Sequence, residues 1–82
     1  MNFGHALELL KADNKVARKG WNGKGMWLSY CDPYNNKQFT LIEKEIEGTF
    51  SPYIGMKTVD NKYVPWLASQ TDILAEDWEL IK

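Results

Sequence analysis

The stretch Ala17-Arg18-Lys19-Gly20-Trp21-Asn22-Gly23-Lys24-Gly25-Met26-Trp27 restricts this chain more than any other, because it sets two tryptophans, three glycines and three cations within eleven positions. Asn22-Gly23 is a strong turn signal, since both residues tolerate the positive φ of tight hairpins. The flanks read as strands, so Trp21 and Trp27 stand on either side of a reversal with the cations around it. Such a turn exposes backbone N–H groups that can face an anion. Beside them lie flat apolar faces on which a base can stack. The plainer alternative is a β-hairpin whose tryptophans are core and whose lysines are solvated.

A chain of 82 residues reads as one small domain over its whole length. So small a body barely offsets the entropy of ordering it, and natural proteins of this size usually add a staple. One cysteine, Cys31, excludes an intramolecular disulfide, and one histidine, His5, leaves no His/Cys cluster for a metal. Self-association is the staple that remains. Four Trp, four Tyr and three Phe supply the large flat side chains that interfaces favour, so a homo-oligomer is expected. A net charge of −1 argues against a partner that is a nucleic-acid polymer. Nothing resembles a signal peptide, and no apolar run approaches the ~20 residues needed to span a bilayer. A soluble, cytoplasmic protein without a membrane partner is expected, and a lone free cysteine fits a reducing interior.

Taken in order, Asn2 caps a helix whose apolar positions Phe3, Ala6, Leu7 and Leu10 follow the i, i+3, i+4, i+7 stripe, with Asp13-Asn14 as its stop. His5 takes the place three after the cap where Glu or Gln would reach back. Residues 15–19 and 26–31 read as strands, and 32–36 as a loop. Residues 38–47 show no clean period, Glu43-Lys44-Glu45 is a solvated face, and Gly48 breaks the segment. Residues 52–59 read as a strand in which Gly55 marks a bulge or a close backbone approach. In residues 62–67, Pro65 argues for an edge position. Ser69 and Asp72 are spaced as a capping box at the start of a short helical turn through Ala75, and residues 78–81 close as a last strand. The expected architecture is α+β: an N-terminal helix packed on an antiparallel sheet of about five strands, with the short helical turn before the last one.

Enzyme signatures are missing: there is no metal-ligand spacing, no P-loop spacing and no nucleophile elbow. No catalytic residue, metal or cofactor is therefore assigned, and Cys31 reads as a buried structural thiol. The second informative stretch is Val64-Pro65-Trp66-Leu67-Ala68-Ser69-Gln70-Thr71-Asp72, which runs on to Trp78. Trp66 precedes a run of polar residues at a strand-to-helix junction where free N–H groups point outward. Ser, Gln, Thr and Asp together can read the hydroxyls and ring edges of a ribose and base. On the plainer view this is strand, N-cap and helix, with Trp66 and Trp78 as core. Two stretches in one small chain, each pairing Trp with converging polar groups, favour a ligand site.

Phe3-Gly4 with Ala6-Leu7, then Ala17-Arg18-Lys19-Gly20-Trp21-Asn22-Gly23-Lys24, then Pro65-Trp66-Leu67-Ala68-Ser69-Gln70-Thr71-Asp72 with Leu74-Ala75-Glu76-Asp77-Trp78, resemble the Thoeris anti-defence 2 family of short phage and prophage proteins. The resemblance covers both ends of the chain and the order between them, and residues 32–51 carry none of it. It implies a sponge that binds cyclic ADP-ribose-type signals made by bacterial TIR-domain enzymes, holds them uncleaved in the host cytoplasm and so silences Thoeris immunity. Some members also hold cyclic oligonucleotides, and the family forms homotetramers with signal pockets between protomers. Carried onto this chain, Trp21 and Trp66 would stack on the ligand, while Asn22, Ser69, Gln70, Thr71 and Asp72 would line its polar side. Lys24 and Met26 complete the candidate ligand-binding set. His5 stands where the family's opening helix usually has Glu. The competing readings are an enzyme that cleaves such a nucleotide and a structural or host-protein-binding homo-oligomeric module with no small-molecule ligand.

Overall fold

Asn2 starts the first helix as its side chain predicts: Oδ1 accepts the His5 N–H at 2.8 Å, satisfying a donor that the helix itself leaves unpaired. The computed structural model describes residues 1–32 and 51–82. Helix α1 spans Phe3–Lys11 and buries Ala6 and Leu10. It ends where Asp13 takes a positive φ of 67°, a conformation that Asp tolerates better than most residues. Among the described residues five strands follow: β1 (Lys15–Arg18), β2 (Trp27–Cys31), β3 (Tyr53–Lys57), β4 (Tyr63–Pro65) and β5 (Trp78–Ile81). One-turn helices α2 (Lys19–Asn22) and α3 (Gln70–Ile73) precede β2 and β5. The architecture is the expected α+β arrangement.

The strands form one sheet in the order β4-β3-β2-β1-β5, with every neighbouring pair antiparallel. The first and last strands of the chain thus lie side by side, from Lys15 opposite Ile81 to Arg18 opposite Trp78. Pro65 ends the edge strand β4, where a missing N–H costs no interior ladder bond. Helix α1 covers one face, and Ala6, Leu10, Val16, Leu28 and Trp78 form the buried cluster beneath it. Alternation along β2 sends Trp27 to the opposite face. There the Lys15 and Lys57 ammonium groups lie 4.7 and 4.6 Å from its ring centroid.

Two expectations are refined. The reversal after β1 is not a two-residue turn at Asn22-Gly23. Lys19–Asn22 is a helical turn, Gly23 is helical at φ −66°, and the positive φ (70°) falls on Gly25. Packing overrides the local turn signal here, because the helical turn carries the Trp21 ring to within 5.3 Å of the Trp78 ring. The Lys24 and Met26 N–H groups both donate to the Trp21 carbonyl, at 2.8 and 3.3 Å, so these two donors are not free to face an anion. At Gly55 the close approach is the correct alternative. The β2–β3 ladder runs through Ser29 opposite Gly55 in unbroken register, and a Cβ there would stand 2.7 Å from the Cys31 Sγ. The loop expected beyond Asp32 to residue 36, the segment 38–47 and its break at Gly48 lie outside the described residues.

Candidate functional site

Four aromatic rings from four parts of the chain meet at one end of the sheet: Phe3 from α1, Trp21 from α2, Trp66 just after β4, and Trp78 from β5. Trp78 is buried and sits 5.2 Å from Phe3, 5.3 Å from Trp21 and 6.0 Å from Trp66 between ring centroids. Trp21 and Trp66 pack edge to face at 75° with centroids 6.5 Å apart, and both remain partly open to solvent. Such perpendicular contacts suit the ring quadrupole and fix the rings against one another. The two tryptophans singled out from separate stretches therefore come together, while Trp27 stands on the other face of the sheet.

The polar stretch is built by local rules. The Trp66 N–H donates to the Ile54 carbonyl at 2.9 Å, which carries the β3–β4 pairing one residue past the strand. Ser69 then caps α3: its hydroxyl accepts the Asp72 N–H at 3.1 Å. Ser69, Gln70 and Thr71 are exposed, and Asp72 is turned inward. The Asp72 carbonyl accepts the Trp78 indole N–H at 2.8 Å, which is how the buried ring satisfies its one polar atom.

The charged groups beside this turn form a closed set. Arg18 Nη1 donates to Asp72 Oδ1 at 3.0 Å, and Arg18 Nε and Nη2 fork onto the Asp77 carboxylate at 2.8 and 3.4 Å. The Lys19 N–H also donates to the Asp77 carbonyl, at 3.0 Å. The bond to Arg18 holds the Asp77 carboxyl below its ordinary range, and the bonds to Asp77 and then Asp72 raise the guanidinium further. Arg18 is charged at every working pH. The Asp72 side chain is only 17% exposed, with one oxygen engaged.

Of the sequence-derived set, Trp21, Trp66, Ser69 and Asp72 belong to one connected group, with Gln70 and Thr71 on the open side of its turn. Met26 is partly buried and Lys24 exposed, and both join the group through the Trp21 carbonyl. Asn22 ends α2 by its backbone. Sequence reasoning did not single out Phe3, Arg18, Asp77 or Trp78 for this site. One signal was available: Arg18 is the single arginine among ten cationic residues, and Arg is the side chain that binds carboxylates through a planar fork. Its partners lie 54 and 59 positions away, so nothing local could name them.

Among the described residues no group of three or more His, Cys, Asp or Glu is arranged to hold a metal, and no helix is long and apolar enough to cross a membrane. The thiol of Cys31 is buried against the sheet, and His5 is exposed on α1. The arrangement offers two fixed indoles beside hydroxyl, amide and carboxylate groups on a short capped turn, groups capable of stacking and hydrogen bonding. The model of the Thoeris anti-defense 2-like domain matches residues 1–81. A curated protein of Bacillus phage SP01 named "Thoeris anti-defense 2" is 45% identical over 84 residues, covering 99% of this chain and 94% of its own.

Proposed function

The chain belongs to the Thoeris anti-defence 2 family, and from that membership we propose that it inhibits Thoeris immunity by binding a cyclic ADP-ribose-type nucleotide and holding it uncleaved. The observation that carries the reading is the edge-to-face pair of Trp21 and Trp66 beside the exposed Ser69–Thr71 turn. A base or ribose laid against the open indole surface gains stacking, and the turn supplies hydrogen bonds to its hydroxyls and ring edges. Asn22, Lys24 and Met26 would close the α2 side. Asp72 would accept a ribose hydroxyl through the carboxylate oxygen that Arg18 does not hold. Cyclic oligonucleotides, which present the same base and ribose chemistry, are the second ligand class.

The protomer is proposed to assemble as a homotetramer with the site between copies. Leu67 and Leu74 are 92% and 75% exposed on the two sides of the polar turn, and Ile73 is also open to solvent. Covering them with another copy would bury apolar surface that a body of this size needs. It would also shield the ligand. The competing reading, a packing or host-protein-binding module without a small-molecule ligand, draws on one observation: Trp21 and Trp66 both rest on Trp78, as core tryptophans do.

The deciding experiment is calorimetry of the purified protein with cyclic ADP-ribose isomers and cyclic di- and trinucleotides, followed by heat denaturation and chromatography of the ligand. Binding with intact ligand recovered supports the sponge. Recovery of linear ADP-ribose, suppressed in Asp72→Asn, would make the protein an enzyme. Silence across the whole panel favours the packing module. Sedimentation at micromolar concentration should give a tetramer, and a stable folded monomer would defeat that part of the reading.

A further inference from the structure

A helix of one turn does not hold itself, since a single turn pays the full nucleation entropy for very few hydrogen bonds. Helices α2 and α3 are both of this kind, and with the α3 cap Ser69 they present every residue of the proposed site except Lys24, Met26 and Trp66. Trp78 touches both, through the Trp21 ring and the Asp72 carbonyl, and the side chain that ties them by charge is Arg18. It is the last residue of β1, so α2 with Trp21 begins at the next position. Its guanidinium meanwhile grips Asp72 within α3 and Asp77 at the entrance to β5. A planar fork with several donors can serve two carboxylates at fixed angles, which an ammonium cannot.

We propose that Arg18 is the positioning residue of the ligand site: by bridging Asp72 and Asp77 it sets the spacing between the Trp21 half and the Ser69–Asp72 half. The assignment rests on the nucleotide-binding reading given above. Arg18 touches no ligand in this scheme. It acts by pre-ordering the α3 turn, so that binding does not have to order it. The Trp78 indole bond to the Asp72 carbonyl is the internal reporter, because it reads the position of α3 whether or not ligand is present.

The test compares wild type with Arg18→Lys and Arg18→Gln by three measurements: calorimetric affinity for cyclic ADP-ribose isomers, the circular-dichroism melt, and hydrogen exchange of the Trp78 indole N–H by NMR. Each side chain that binding must newly order costs roughly two- to tenfold in affinity, so a freed turn should cost about tenfold or more. Both variants should fold, lose that affinity and exchange the indole proton faster. Failure of Arg18→Lys to restore either property identifies the fork, not the charge, as the cause. Wild-type affinity and indole protection in folded Arg18→Lys or Arg18→Gln would overturn the assignment. Should Arg18→Gln fail to fold, Arg18→Lys and Asp77→Asn carry the test with the same readouts. If the wild-type protein binds no member of the panel, the nucleotide reading falls, and the indole exchange of Arg18→Lys alone decides whether Arg18 positions the turn: faster exchange upholds it and unchanged exchange refutes it.

Discussion

The indole N–H of Trp78 donates to the backbone carbonyl of Asp72 at 2.8 Å, so a buried core ring and a solvent-facing turn share one hydrogen bond. This donor is one of the links that couple core stability to site geometry. Trp78→Phe keeps most of the apolar volume and removes that donor. The Asp72 carbonyl keeps the Ala75 N–H at 3.3 Å, so losing the indole bond should cost roughly 0.5–1.5 kcal/mol, and Trp78→Ala should cost about 3–5 kcal/mol through the cavity it opens. Urea denaturation checks both values, and ligand affinity should fall in Trp78→Phe even where the variant stays folded.

Trp21→Ala and Trp66→Ala should each weaken nucleotide binding by about five- to 150-fold, the equivalent of a lost stack of roughly 1–3 kcal/mol. Both rings also contact Trp78, so the melt is measured alongside. Normal affinity in both variants, or loss of affinity only in step with unfolding, would assign the two rings to the core alone.

Gly55→Ala places a methyl group 2.7 Å from the Cys31 sulfur, closer than the two atoms can stand. Overpacking of this kind costs roughly 1–3 kcal/mol. Cys31→Ala removes the opposing atom, so the double variant should recover most of the loss relative to Cys31→Ala alone. A double-mutant cycle with no coupling would show that the strand shifts instead of the side chain.

Acid should unlock the Arg18 bridge. The folded Asp77 carboxyl is depressed, chiefly by its bond to Arg18, so its contribution is fully present above the ordinary carboxylate range and is lost as pH falls through the folded value. Asp60, held low first by the Thr58 hydroxyl, adds to the same loss. Urea midpoints should hold steady near neutrality and decline below about pH 4. In Arg18→Gln the decline should be shallower, and an identical pH profile in both proteins would mean that Asp77 gains nothing from Arg18.

Much of this fold was legible before the structure. Asn2 with the stripe of Phe3, Ala6, Leu7 and Leu10 specifies a capped amphipathic helix, Pro65 an edge, Gly55 a close approach, and Ser69 a cap, because each of these follows from the chemistry of one residue and its near neighbours. The family motif at both ends likewise comes from the residues as written. Three things do not. The Asn22-Gly23 signal yields to a helical turn because burying Trp21 on Trp78 outweighs a local preference for positive φ. Lys24 and Met26 direct their backbone donors at Trp21, since the turn must close on itself before it can offer them to anything else. Arg18 finds Asp72 and Asp77 only because β1 and β5 pair side by side, and pairing between the ends of a chain is decided by which sheet order buries the shared apolar face, a choice that no local stretch contains.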